Sequence, residues 1–399
     1  MASKRTIIIG VAVAAIACAA FFFRPRSDKT SAAVATSGPR LLWQYEAERG
    51  ALATLVLGSD GTVYVGGNNA LMALSSDGKL KWQSTYAGLL YIVGASDGNI
   101  YGASSLGLIF GFSDDGKLSW NPGAGLIGFG APPAVGTGGA LVYANSVSDV
   151  FAFNPQKSNS ETWSQNTFRE GMLGQNYALP GQATTSQERS RSSPVIWRDE
   201  TIALGRQHWL HLFNPDGSPQ WFIELTTGQL GQAALAHDGT IYIADDRSNL
   251  FAVSRYGQLK WTYQPDYWII GSPIVGEDGT IYLVTSEKTY AVSPDGSLKW
   301  SAKMPQPPST GPALAADGTI YVGGDSGIFA LHSDGTAKWA LHAMRATGAP
   351  TIASDGTIYF PCGYSWVCAV ADEGSPLAKS PWPKEFHDPA NSNRILTEF

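Results

Sequence analysis

A tryptophan returns along this chain at Trp43, Trp82, Trp120, Trp163, Trp221, Trp261, Trp300, Trp339 and Trp382. Most steps are 38 to 43 residues, and the step from Trp163 to Trp221 is 58. A fixed period of this size marks a repeat architecture and limits the fold more than composition can. Each period holds four short apolar or alternating runs. Between Ser301 and Leu341 they are Gly311–Ala315, Thr319–Val322, Ile328–His332 and Ala337–Leu341, here called strands A to D. Asp317-Gly318 separates A from B, and Asp334-Gly335 separates C from D. Asp-Gly between two apolar runs is a strong hairpin signal, because glycine accepts the positive φ of a tight turn. The same pair recurs at Asp60-Gly61, Asp77-Gly78, Asp97-Gly98, Asp115-Gly116, Asp216-Gly217, Asp238-Gly239, Asp278-Gly279, Asp295-Gly296 and Asp355-Gly356. Four strands in every ~40 residues predict an all-β, eight-bladed β-propeller of four-stranded antiparallel blades over residues 40–383.

The strings "ALSSDGKLKW", "AVSRYGQLKW", "AVSPDGSLKW" and "ALHSDGTAKW" carry a resemblance. They look like the repeat of the pyrroloquinoline-quinone-type, or quinoprotein-like, β-propellers. In that family an Ala, a Gly and a Trp dock each blade on its neighbour. The matching residues are Ala73, Gly78 and Trp82, then Ala291, Gly296 and Trp300, then Ala330, Gly335 and Trp339. The resemblance implies that Trp43, Trp82, Trp120, Trp221, Trp261, Trp300 and Trp339 are blade-docking residues. Physically, a lone four-stranded sheet cannot bury both faces, whereas stacked sheets bury each other and a Trp adds a large apolar area. Leu41–Tyr45 carries a Trp at the docking phase and is expected to close the ring as the outer strand of the last blade. Pro381–Pro383, with Trp382, is the rival.

The N-terminus stands apart. Lys4 and Arg5 precede an uncharged run, Ile7–Phe23, closed by Arg24-Pro25-Arg26. Residues 1–23 read as an export or anchoring segment, with 24–39 as a linker. Three versions stay open: an uncleaved anchor, a lipoprotein with lipid on Cys18, and simple cleavage. Each places the bulk of the chain outside the cytoplasm, in the periplasm of the cell envelope. Cys362 and Cys368 flank "GYSWV" and could face each other on adjacent strands as a disulfide, which an oxidising compartment favours. The net charge of −6 gives no basic footprint for nucleic acid.

Function is less legible. Ring geometry puts the stereotyped A–B and C–D turns on one face and the varied B–C and D–A loops on the other. Varied loops on a rigid scaffold are where binding is expected. The candidates there are Arg206, Arg247 and Arg345, whose guanidiniums suit carboxylate or phosphate, and the aromatics Tyr267, Trp268 and Trp366. An insertion, 164–193, reads as either a docking loop or a surface extension, and 384–399 as a tail. Chemistry is hard to find. His208 and His211 are three apart on a strand, which turns the rings to opposite faces. No Cys-x-x-Cys, Gly-x-Ser-x-Gly or phosphate-cradling motif occurs. No catalytic residue, no metal site and no cofactor is expected; quinone with calcium is disfavoured by the missing Cys-Cys pair and by aspartates committed to turns.

The expected function is a non-enzymatic binding or scaffolding propeller with a protein partner in the envelope, joined to the membrane by residues 1–23. Its architecture resembles the propeller lipoprotein of the outer-membrane barrel-assembly machinery. The alternative is a small-ligand or quinone-dependent propeller using the B–C/D–A loop face.

Overall fold

The computed structural model describes residues 38–394 apart from 49–51, 95–97, 123–130, 137–138, 145–148, 157–160, 167–191, 373–374, 381–382, 389–390 and 392–393. Residues 1–37 with Cys18, most of the 164–193 insertion, and Trp382 lie outside the described residues. Among the described residues no helix is long and apolar enough to cross a membrane. The expected membrane attachment, and the membrane-anchored location that went with it, are corrected accordingly: the described chain supplies no spanning helix.

The described residues from Gly38 onward form seven hydrogen-bonded antiparallel sheets. The first has six strands: Leu52–Leu57, Val63–Leu74, Leu80–Gly94, Ile100–Ser104, Ile109–Phe112 and Leu118–Trp120. Five four-stranded sheets follow, over 134–166, 195–224, 230–263, 269–303 and 308–342. The seventh holds Thr351–Ile352, Ile358–Cys362 and Trp366–Ala371, with Arg40–Glu46 as its outer strand. The expectation of eight separate four-stranded blades is therefore corrected to seven sheets. The first sheet spans two periods because hydrogen bonding does not stop between them. Val63–Leu74 pairs with Leu52–Leu57 through its first half and with Leu80–Thr85 through its second. Asn68 then pairs with Leu89, so the strand carrying Trp82 runs on into the next period.

The repeat explains the ring. In most periods the D-strand Trp donates its indole N–H to a carbonyl in the C–D turn of the next: Trp43 to Ser76, Trp82 to Asp114, Trp221 to Arg255, Trp261 to Pro294 and Trp300 to Ser333, at 2.6–2.9 Å. Trp163 does the same to Pro215, at 3.0 Å. The turn glycine lies under the ring. A Cβ on Gly78 would sit 2.5 Å from Trp43, and Gly78 has φ 82°, so this position needs glycine twice over. The Ala of the motif faces Trp across the C–D pair, as in Ala73 with Trp82 and Ala330 with Trp339. The small side chain leaves room for the indole.

Closure uses both ends of the ring. Arg40–Glu46 pairs with Trp366–Ala371, and Trp43 docks on the first sheet. The seventh sheet takes its outer strand from the N-terminal side of the ring, so it has no C–D hairpin to receive Trp339. The Asp372 carboxylate stands in, accepting from Trp339 Nε1 at 3.0 Å and from Tyr321 Oη at 2.9 Å. The Cys362–Cys368 disulfide joins the middle two strands of the same sheet, with both cysteines fully buried. The core lies between sheets: Val142 and Val150 of the second share one buried cluster with Ile196 and Leu204 of the third.

Candidate functional site

The two ends of the ring are built differently. At the A–B and C–D end, the Asp before each Gly closes its own turn. Asp278 accepts from the Thr280 amide at 3.0 Å, from the Thr280 hydroxyl at 2.7 Å, and from Lys299 of strand D at 3.0 Å. Asp60 with Thr62 and Lys81, and Asp238 with Thr240 and Lys260, repeat the arrangement. The hydroxyl and amide of Thr62, joined by Lys81, hold the Asp60 carboxyl below its ordinary range. These aspartates are turn locks with their lone pairs in use.

The inner strands of neighbouring sheets pack closely: a Cβ on Gly271 would lie 2.6 Å from the Gly311 Cα. Described residues of the 375–394 segment run along and across them. Ala378 N–H donates to Leu314 O at 2.9 Å, Leu314 N–H to Pro383 O at 2.8 Å, and Ala316 N–H to Pro376 O at 2.8 Å. Further on, Glu385 accepts from Ser272 of the fifth sheet at 3.2 Å, and Asn391 Nδ2 donates to Leu55 O of the first at 3.1 Å. Arg394 bridges to Ile196 of the third sheet and pairs with Glu200. Lys384 is buried, and desolvation pushes its pKa down to about 8 against the pull of Asp388 and Glu385. Burial pushes the Glu385 carboxyl up, opposed by Lys384 and Ser272.

At the other end, B–C turns and D–A connections are laced together through the backbone. Ser105 N–H donates to Leu89 O and Asp246 N–H to Gln229 O, both at 2.9 Å; Ser286 N–H donates to Trp268 O at 2.9 Å and Asp325 N–H to Pro307 O at 3.2 Å. Asp245 is consumed by its own turn, accepting from the Arg247 and Asn249 amides, from Asn249 Nδ2 and from Thr226 Oγ1 at 2.6–3.0 Å. The backbone here is fixed while side chains project from it.

The six candidates fall on this end but do not gather. Arg206 ends strand B of the third sheet and is buried; Arg247 lies in a turn of the fourth sheet, and Arg345 between the sixth and seventh. Arg345 Nε pairs with Asp325 at 3.0 Å. The three arginines stand on or between different sheets. Tyr267 lies 5.3 Å under the Lys288 ammonium, which also pairs with Asp266. Trp366 packs on the buried cluster holding Cys362 and Cys368. Trp268 is left outward, 78% exposed. Two further residues share its end and its exposure: Tyr364 at 87% and Leu106 at 63%. Tyr364 is the tip of the hairpin spanned by the disulfide. Leu106 sits between Ser105 and Gly107 in a B–C turn, a position where an apolar side chain has no packing role. That mismatch was its signal in the sequence.

His208 and His211 have separate partners. His208 Nδ1 meets Gly228 O at 2.7 Å, while His211 is buried and stacked on Phe213. Burial, with Arg206 nearby, pushes His211 down to about 4. Among the described residues no three His, Cys, Asp or Glu side chains gather to hold a metal ion.

The comparisons match this ring. The family described as outer membrane protein assembly factor BamB, with PQQ-type repeats, matches residues 28–210 and again 206–397. The chain belongs to this family. BamB from Moraxella catarrhalis superposes on 84% of the chain and 98% of its own length, with a TM-score of 0.64 and 12% identity. The WD40 β-propeller domain of Doa1 covers the same shares with a TM-score of 0.52 and 12% identity. At such identities the likeness to BamB and to Doa1 is one of fold. No curated protein matches the chain at a significant level.

Proposed function

We propose that this BamB-family ring is a non-catalytic scaffold that binds a protein partner in the cell envelope through its B–C/D–A end. The carrying observation is the exposure of Trp268, Tyr364 and Leu106 on connections that the backbone holds in place. Large exposed side chains on a rigid platform are the usual anchors of protein interfaces, because little ordering cost offsets their burial. The opposite end has its turn carboxylates in use, and described residues of the chain's own 375–394 segment already bond to its inner strands. The family described as an outer membrane protein assembly factor supports the envelope setting. The buried Cys362–Cys368 disulfide supports an oxidising compartment.

The test is capture from detergent-solubilised native envelopes by the purified chain, scored as the apparent Kd of the protein retained. Trp268→Ala with Tyr364→Ala should weaken retention about thirtyfold or more. Retention unchanged by this pair, but lost on Tyr256→Ala at the opposite end, would overturn the assignment.

A further inference from the structure

We propose that the inner-strand edges at the Asp-Gly end form an extended-peptide site, which this chain occupies in cis with the described residues of its 375–394 segment. This concerns the other end of the ring from the proposed docking end and stands whether or not that end binds a partner.

Three observations carry it. First, the segment pairs with a strand edge through its backbone. Isolated antiparallel bridges join Leu377 to Ala315 and Lys384 to Ala313 of the sixth sheet's inner strand, and Ala378, Pro376 and Pro383 share backbone hydrogen bonds with Leu314 and Ala316. Backbone pairing of this kind accepts any extended peptide and takes its specificity from side chains.

Second, those side-chain anchors are polar. Glu385 meets Ser272, Asn391 meets Leu55 O, and Arg394 meets Glu200. Lys384 holds the segment's own shape: its ammonium donates to Glu385 O at 2.7 Å, Asp388 O at 3.2 Å and Asn391 Oδ1 at 2.6 Å. All three N–H groups are satisfied inside the segment, so this turn does not depend on the ring for its hydrogen bonds.

Third, the segment borders open space. A surface hollow of about 290 Å³ lies between Leu377, Pro383 and His387 and the Ile352–Ser354 turn of the seventh sheet. A segment held through backbone bonds beside open surface leaves room for another peptide to take its place. The ligand class is an extended, proline-containing peptide with a lysine turn and an arginine for Glu200.

The experiment uses the full chain with a protease cleavage sequence in place of Glu373-Gly374, cut after folding. The 375–399 fragment should stay with the ring through gel filtration. It should exchange with a labelled synthetic peptide of the same sequence. A peptide carrying Lys384→Ala and Arg394→Ala should compete about tenfold less well or worse. In the uncut chain, Lys384→Ala should speed hydrogen exchange at the Leu314 and Ala316 amides, which donate to the segment, and leave Ile320 and Tyr321 unchanged. Unfolding on cleavage, a fragment that never exchanges, a fragment that leaves and does not rebind, or equal competition by the variant peptide would each overturn the proposal.

Discussion

The two ends of this ring use the same strands under opposite rules. At the Asp-Gly end two solutions repeat: in C–D turns the glycine lies under a neighbour's tryptophan, and in A–B turns an aspartate closes its own backbone with a strand-D lysine over it. Little is left for a partner to satisfy. At the other end the backbone is equally bonded, yet the side chains differ from turn to turn, and Trp268, Tyr364 and Leu106 face solvent. Repetition serves packing between sheets, and departure from repetition serves recognition. The physical basis is that a docking position must satisfy its neighbour, whereas a loop tip must satisfy only its own backbone.

This contrast can be broken first with a pair of tryptophans. Trp300→Ala removes a docking indole and its bond to Ser333, and should cost about 3 kcal/mol of stability by denaturant unfolding. Trp268→Ala should stay within about 0.5 kcal/mol. Equal costs would erase the distinction between the ends.

Acid should act through the interior next. His211 is held neutral with its pKa near 4, below its ordinary 6.5. Between these values the unfolded chain binds a proton that the folded chain does not. Stability is therefore full above about pH 6.5 and falls as pH drops toward 4, by up to about 3 kcal/mol. His211→Phe should flatten this part of the pH–stability curve; an unchanged curve would contradict the assignment.

A smaller effect is expected at the closing sheet. Cys362 and Cys368 are six apart, so their bridge closes a short loop. The double change to serine should cost about 2 kcal/mol. A cost near zero would mean that β-pairing with Arg40–Glu46 already sets this hairpin.

Least of all, Lys299→Ala at the Asp-Gly end should cost less than about 1 kcal/mol, since its pair with Asp278 is largely exposed. A larger loss would show that these locks hold sheets together rather than single turns.

Much of the fold was readable in the chain, and the misses have physical causes. Trp43, Trp82 and Trp300 announce their docking by period, and the Asp-Gly pairs announce their turns. Trp163 docks too, yet the 58-residue step after it hides its phase. The merging of two periods into one six-stranded sheet depends on Asn68 meeting Leu89, a contact set by connection geometry that leaves no trace in the repeat. Lys384 and Arg394 fall in what reads as a tail, because a sequence does not show that packing against the inner strands will bury them. Among the site candidates, Trp268 is outward as its loop position suggests. Tyr267 and Trp366 are held by Lys288 and by the disulfide cluster, partners distant enough in sequence or arranged by tertiary packing that inspection cannot pair them. The arginines lie at the B–C/D–A end where ring geometry puts the varied loops, and the repeat sets them on different sheets.

The most direct measurement places a photo-crosslinking amino acid at position 268, 364 or 256 of the full chain in intact envelopes. The account predicts a common protein adduct from 268 and 364 and none from 256, which lies at the Asp-Gly end. A strong adduct from 256, with none from 268 and 364, would contradict it.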